Sequence, residues 1–223
     1  MNVVLFGATG MVGGGVLLEC LDDARVDNVL AIVRRPTGTA HPKLTEVVHA
    51  DFTTYAGLER SFAGRDACFF CLGVSVAGLS EETYHHLTYD LAVAAARALV
   101  AVSPRMTFCY VSGAGTDATE RGRVMWARVK GKTENAIRAL PFRATYMFRP
   151  GYIQPLRGVR SSTAWYQAFY SVLGPFYPVL RLLAPRLVTT TVAVGRAMIA
   201  VAARGYETPV LETTDINRVA ATS

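Results

Sequence analysis

Over its first 150 residues the chain alternates short apolar runs with longer helical patterns. Residues 3–6, 29–33, 44–48, 67–72, 106–112 and 144–148 read as strands. Residues 11–21, 55–62, 81–102 and 124–139 read as helices, with Ser80 the N-cap of the third. Several strand runs are apolar on both faces, as in a parallel sheet covered by helices on each side. Alternating β and α segments of that kind predict an α/β fold, a Rossmann-type doubly wound parallel sheet.

Beyond Pro150 the pattern changes. Segment 161–187 is aromatic and aliphatic, with Trp165, Tyr166, Phe169, Tyr170, Phe176 and Tyr177 broken up by prolines. A last helix is expected over 192–203, after the threonines at 189–191, and residues 209–211 offer one more strand. The predicted organisation is a core over 1–150 with a small helical lobe over 151–223 packed on it as one compact unit. The aromatic cluster admits two readings. It walls an apolar pocket, or it is core, an interface or a membrane-facing patch beside Arg181 and Arg186.

The strongest chemical signal lies where the first strand meets the first helix. Leu5-Phe6-Gly7-Ala8-Thr9-Gly10-Met11-Val12-Gly13 has the spacing G-x-x-G-x-x-G. Gly7 permits the sharp turn, Gly10 lets backbone approach a pyrophosphate, and Gly13 lets helix close on strand. The N–H groups and positive dipole end of the helix then hold phosphates. Glycines alone are a weak motif; the strand–turn–helix context makes this one a dinucleotide site. Gly7, Thr9, Gly10, Met11 and Val12 are its candidate cofactor contacts. Gly14 and Gly15 follow, each costing about 1 kcal/mol against alanine inside a helix. They either keep bulk from ligand and sheet or fray the helix, and both readings stand.

An NAD site places an acidic residue about 20 positions further on, against the ribose hydroxyls. Here the second strand ends in Arg34 and Arg35. Two guanidinium groups suit a 2′-phosphate, so NADP is the expected cofactor.

Composition sets the bounds. A chain of 223 residues suits one large domain, which buries roughly 70% of its unfolded surface without needing a disulfide or metal. With 51% hydrophobic and 18% charged residues it is not disordered. Lys and Arg number 23 against 17 Asp and Glu, a net charge of +6 that favours anionic partners. The basic residues are scattered, so no nucleic acid is expected. No apolar stretch reaches the roughly 18 residues of a transmembrane helix, and the opening six residues have no basic flank of a leader. Four cysteines predict a reducing compartment, read as cytoplasmic. Cys68 and Cys71 form C-x-x-C inside an apolar strand, where their odd separation sends the thiols to opposite faces. His85 and His86 are adjacent on a predicted helix and cannot share a metal. No metal is expected.

The glycine turn, Arg34-Arg35, His49-Ala50-Asp51-Phe52, Cys71-Leu72-Gly73 and Phe148-Arg149-Pro150-Gly151 together resemble an atypical short-chain dehydrogenase/reductase. More narrowly, they resemble its NAD(P)-binding branch that includes the Tat-interacting-protein oxidoreductase homologues. The likeness extends to residues 194–199. It implies that Asp51 and Phe52 flank the adenine and that Leu72, Gly73 and Val74 line the ribose and pyrophosphate. Pro150, Gly151 and Tyr152 would lie beside the nicotinamide.

The resembled family carries Tyr-x-x-x-Lys on one helix face and a serine beyond the fifth strand. This chain has Trp126-Ala127-Arg128-Val129-Lys130, keeping the spacing and the lysine but placing an indole where the phenol belongs. Indole donates a hydrogen bond and is no acid near neutral pH. The resemblance implies Lys130 on the cofactor ribose and Ser112 polarising the reacting oxygen. Tyr152 and Tyr166 are candidate replacement acids that no spacing fixes.

Two functions follow. The first is an NADP-dependent oxidoreductase of a small carbonyl or alcohol. The second, for which Trp126 argues, is a catalytically impaired NADPH-binding regulator or redox sensor acting through a protein partner. A sugar-nucleotide epimerase ranks third, because the C-terminal lobe is short for a nucleotide sugar. Segment 161–187 is the candidate surface for a homo-oligomer or protein partner.

Overall fold

A computed structural model of the chain describes residues 1–159, 184 and 186–222. Its strands are β1 (Asn2–Phe6), β2 (Asn28–Val33), β3 (Leu44–Val48), β4 (Ala67–Phe70), β5 (Thr107–Val111), β6 (Ala144–Arg149), β7 (Tyr152–Gln154), β8 (Val188–Thr190) and β9 (Val210–Glu212). Seven of them form one sheet in the order β3-β2-β1-β4-β5-β6-β9, with every neighbouring pair parallel. The chain winds outward from β1 in both directions, so the gap between β1 and β4 is the topological switch point of the sheet.

The helices are α1 (Met11–Asp22), α2 (Glu59–Phe62), α3 (Glu81–His85), α4 (Leu91–Val102), α5 (Met125–Arg138), α6 (Thr191–Arg204) and α7 (Thr213–Ala221). They divide by the period-two alternation of the strands. Val3, Leu5, Val29, Ala31 and Phe69 point to one face, against α1, α6 and α7. Val4, Phe6, Leu30, Ile32 and Phe70 point to the other, against α2, α4 and α5. Cys68 belongs to the second cluster and Cys71 packs on the first, so the two thiols do face opposite ways.

The strand expectations hold to within two residues at each end. Segment 67–72 stops early because residues 71–73 leave the sheet. The helix expected over 55–62 shrinks to its last turn, since Gly57 takes a φ of +88°, which no α-helix contains. The helix expected over 81–102 is α3 and α4 joined by a π turn at His86–Asp90. Ser80 caps it, its hydroxyl accepting from the Thr83 N–H at 3.2 Å.

Three elements were not foreseen. β7 and β8 pair in parallel as a separate two-stranded sheet, and α7 follows β9 behind a capping box of Glu212 and Asp215. β9 itself stands where one more strand was offered. Much of the stretch after residue 187 is thus built into the core: β9 extends the sheet, and α6 and α7 cover one face of it. The aromatic residues between 165 and 177, and Arg181, lie outside the described residues. Among the described residues no helix is long and apolar enough to cross a membrane.

Candidate functional site

A cleft of about 770 Å³ runs along the carboxyl ends of β1, β2 and β4. Gly7, Ala8, Thr9 and Gly10 line it from β1, Arg34, Arg35, Thr37 and Thr39 from β2, and Cys71, Leu72 and Gly73 from β4. Gly14, Leu17 and Leu18 of α1 and the segment from Arg157 to Val159 close its side. Ligands of doubly wound sheets bind at this switch point.

The turn is a cradle that side chains would fill. Gly7 has a φ of +82°, and a Cβ there would stand 2.7 Å from the Cys71 carbonyl carbon. A Cβ on Gly13 would stand 2.1 Å from the Gly7 oxygen, so the helix start lies directly on the turn. Gly10 is the N-cap of α1 and supplies no side-chain acceptor, and the first turn of α1 has no acidic residue. The N–H groups that a cap would satisfy are therefore left for an anion. A dinucleotide diphosphate fits this geometry. Met11 and Val12 form that first turn.

The two later glycines now have reasons. A Cβ on Gly15 would stand 2.4 Å from the Thr191 Cβ, so Gly15 lets α6 close on α1. A Cβ on Gly14 would meet the Ala8 oxygen at 3.3 Å and Val159 at 3.5 Å, so Gly14 keeps the side wall of the cleft near.

Arg34 and Arg35 are exposed at the cleft, and among the described residues no carboxylate pairs with either. Glu46 is turned to the backbone, its Oε1 accepting from the Thr37 N–H at 2.9 Å. Arg157 is fully engaged. It pairs with Glu19 Oε1 at 2.8 Å and Asp22 Oδ2 at 2.7 Å, while Glu19 Oε2 takes Arg196 Nε at 3.0 Å. Glu19 is buried, so one α1 carboxylate ties both the 157–159 segment and α6 to the glycine helix.

Other expected contacts stand apart from this cleft. Asp51 is exposed and Phe52 is buried edge-on to Phe6 and Tyr55. The Asp51 carboxylate accepts from the Thr53 hydroxyl and N–H, which holds its pKa below the usual carboxylate range. Val74 is exposed just beyond Gly73.

Ser112, Lys130 and Pro150 gather two strands further along the same carboxyl edge, at the ends of β5 and β6. The Ser112 N–H donates to the Phe148 oxygen at 2.8 Å. Its buried hydroxyl lies 2.6 Å from Glu134 Oε1 and 3.1 Å from the Phe148 oxygen, so its one proton has two internal acceptors. Glu134 is completely buried on α5 and also takes Arg149, with Nε 3.0 Å from Oε1 and Nη2 2.5 Å from Oε2. The Lys130 ammonium donates to the main-chain oxygen of Ser112. Burial draws its pKa down to about 8, and Glu134 partly opposes this. Trp126 sits one helical turn earlier, its ring edge against Gly115. The Pro150 oxygen accepts from the Ala114 N–H at 2.9 Å, the Gly151 N–H donates to Thr213 Oγ1 at 2.8 Å, and the Tyr152 hydroxyl donates to Gln154 Oε1 at 2.8 Å. Tyr166 lies outside the described residues.

The sequence reading missed Glu19, Glu134, Arg149 and Arg157. Glu134 carried a signal: it follows Trp126 and Lys130 at four-residue steps, on one face of α5. Glu19 carried none, its partners being 138 and 177 positions away.

A family model described as NAD(P)H-binding matches residues 7–152, from the glycine turn to the start of β7. The chain belongs to this NAD(P)H-binding family. Its relatives include the protein fmp52, mitochondrial, of Emericella nidulans, 29% identical over 187 residues that cover 81% of this chain and 79% of the relative. The fmp52 protein of Aspergillus clavatus is 32% identical over 166 residues, covering 70% and 68%. Among solved structures, a short-chain dehydrogenase/reductase superfamily protein from Agrobacterium tumefaciens with bound NAD superposes with a TM-score of 0.65 at 13% identity, covering 98% of this chain and 81% of that one. Bordetella bronchiseptica WbmF in complex with NAD+ gives 0.66 at 16% identity, covering 99% and 76%. The resemblance to short-chain dehydrogenase/reductases is thus one of fold.

The relatives also correct one expectation. They are named mitochondrial proteins, which overturns the cytoplasmic reading drawn from four cysteines. Free thiols report a reducing environment, and more than one compartment provides it.

Proposed function

We propose that the protein is an NADP-dependent oxidoreductase acting on a small carbonyl or alcohol. The observation that carries this reading is the pair Arg34 and Arg35, open to the cleft at the β2 end, where an NAD site needs a carboxylate. Membership of the NAD(P)H-binding family supports it. In this reading Gly7, Thr9, Gly10, Met11 and Val12 hold the diphosphate, and Arg34 and Arg35 hold the 2′-phosphate. Leu72, Gly73 and Val74 run along the ribose, Asp51 and Phe52 flank the adenine, and Pro150, Gly151 and Tyr152 border the nicotinamide. Lys130 takes the nicotinamide ribose, and Ser112 fixes the β5 end whose carbonyl orients that lysine. The core over 1–150, with Gly151 and Tyr152 at its edge, carries the cofactor, and the lobe that follows receives the substrate. A bound nicotinamide dinucleotide supplies or accepts a hydride.

The test is titration of tryptophan fluorescence with NADPH, NADH, NADP+ and NAD+, repeated on Arg34→Ala/Arg35→Ala. NADPH is expected to bind best. The double substitution is expected to weaken it at least about tenfold, since each charge-assisted contact contributes on the order of 1.5–3 kcal/mol, and to leave NADH unchanged. Equal affinity for NADH and NADPH overturns the NADP preference; no binding of any of the four overturns the whole reading.

Trp126 favours a second reading. With an indole in the phenol position, the same cofactor site serves a regulator or redox sensor that signals NADPH occupancy to a protein partner.

A further inference from the structure

We infer that Lys130 itself delivers and removes the proton in the reaction proposed above, the part a phenol plays in the resembled family; the inference rests on that reading. Trp126, one turn earlier, has no proton to exchange near neutral pH. The other ionisable groups described around the ends of β5 and β6 are already engaged. Glu134 of α5 and Arg149 of β6 hold each other through two hydrogen bonds. Tyr152 of β7 donates to Gln154, and the Asp117 carboxylate turns to Thr119 and Gly122 of its own loop. The Ser112 hydroxyl has Glu134 and the Phe148 oxygen as internal acceptors.

Lys130 differs from all of these. It is half-buried, and it rests on a backbone carbonyl in place of a carboxylate. Gly113 leaves room beside it: a Cβ there would stand 3.7 Å from Nζ, with the Pro150 oxygen 4.0 Å from the same point. Because Glu134 shares its charge with Arg149, it offsets only part of the burial, and the ammonium pKa falls to about 8. A proton carrier works best with a pKa near the operating pH, and lysine shifts readily on burial.

In the direction of reduction a carbonyl becomes an alcohol. The substrate carbonyl carbon receives a hydride from a reduced nicotinamide dinucleotide, and the C=O π bond breaks. The carbonyl oxygen takes a proton from the Lys130 ammonium, so an N–H bond breaks and an O–H bond forms. The neutral amine regains a proton from water. In the direction of oxidation the neutral amine takes the alcohol proton.

The experiment needs no known substrate. The chain has three lysines, Lys43, Lys130 and Lys132, so NMR of protein labelled at lysine Cε resolves each side chain. The signal that Lys130→Met removes is expected to titrate near pH 8, well below the roughly 10.4 of free lysine. A second arm measures proton release at pH 8 in weak buffer. Bound NADP+ places a positive ring near Lys130 and favours its neutral form, so NADP+ releases a larger fraction of a proton per site than NADPH. Lys130→Met and Lys130→Arg both abolish the difference. A Lys130 signal titrating near 10.4, or a difference that survives both substitutions, overturns the assignment. A wild type that binds neither dinucleotide overturns the reading beneath it, and that shows before any lysine signal is read.

Discussion

Arg149 closes on Glu134 with two nitrogens, Nε at 3.0 Å and Nη2 at 2.5 Å, and the carboxylate they grip is wholly buried. The pair joins β6 to α5, and Ser112 adds the end of β5 through the same carboxylate. The strand ends that carry the Lys130 acceptor and the Pro150 carbonyl are therefore fixed by one ion pair. This places Glu134 behind the site, as the group that sets its spacing.

Breaking that pair from one side leaves an uncompensated charge in the core, which typically costs about 3–5 kcal/mol. Arg149→Met is expected to lower stability by that order in urea denaturation. Glu134→Met/Arg149→Met removes both charges and is expected to lose less than the single substitution. A double variant as unstable as the sum of its singles would show that the two residues act separately.

The glycine cradle makes an ordered prediction. Gly13→Ala drives a methyl to within 2.1 Å of the Gly7 oxygen, whereas Gly14→Ala meets its neighbours at 3.3 Å and beyond. Gly13→Ala is expected to cost on the order of 1–3 kcal/mol in stability and to weaken NADPH binding at least about tenfold. Gly14→Ala gains up to about 1 kcal/mol of helix propensity and is expected to stay within that margin. Equal effects at the two positions would mean that helix packing on the turn does not shape the site.

Lys130 gives stability an alkaline dependence with a definite sign. Its pKa is lowered by burial to about 8 when folded, against roughly 10.4 unfolded. Between those values the unfolded chain binds the proton and the folded one does not, so stability rises with pH across the window. Below pH 8 both states are protonated and the burial penalty is present in full. Denaturant midpoints of the wild type, measured from pH 7.5 to 10, are expected to climb relative to those of Lys130→Met. Parallel curves for the two proteins would mean that the ammonium is not desolvated.

The cofactor end of this molecule was legible in sequence because its chemistry is local. Gly7, Gly10, Gly13 and the strand before them lie within a dozen residues, and Arg34 and Arg35 end the next strand. The sheet was legible for the same reason, each strand being a short apolar run between helical stretches. Glu19 was not, because a buried carboxylate on an amphipathic helix spells like a surface one, and Glu134 showed only its four-residue step from Trp126 and Lys130. Only partners brought from elsewhere in the chain, such as Arg196 for Glu19 and Arg149 for Glu134, reveal the burial. The β7–β8 pair escaped because each strand is three residues long and its partner lies across the 155–187 stretch. The compartment was misread because cysteine content speaks to redox state alone.

Trp126 decides between the two functional readings, and Trp126→Tyr tests it. The substitution sets a phenol one helical turn before Lys130, and a neighbouring ammonium favours the tyrosinate. If the rest of the site is catalytic, NADPH oxidation with a panel of small aldehydes and ketones is expected to rise about a hundredfold, the usual scale of general acid catalysis. The smaller ring leaves space against Gly115, so thermal unfolding of the variant accompanies the assay to separate lost packing from lost chemistry. No gain beside a wild type that already turns over the panel would mean that Lys130 supplies the proton unaided. A folded variant that binds NADPH as the wild type does, with neither protein turning over any member of the panel, would leave the site without a catalytic role. The intact cofactor cleft would then serve to sense NADPH, and the indole would be part of how occupancy is signalled to a partner.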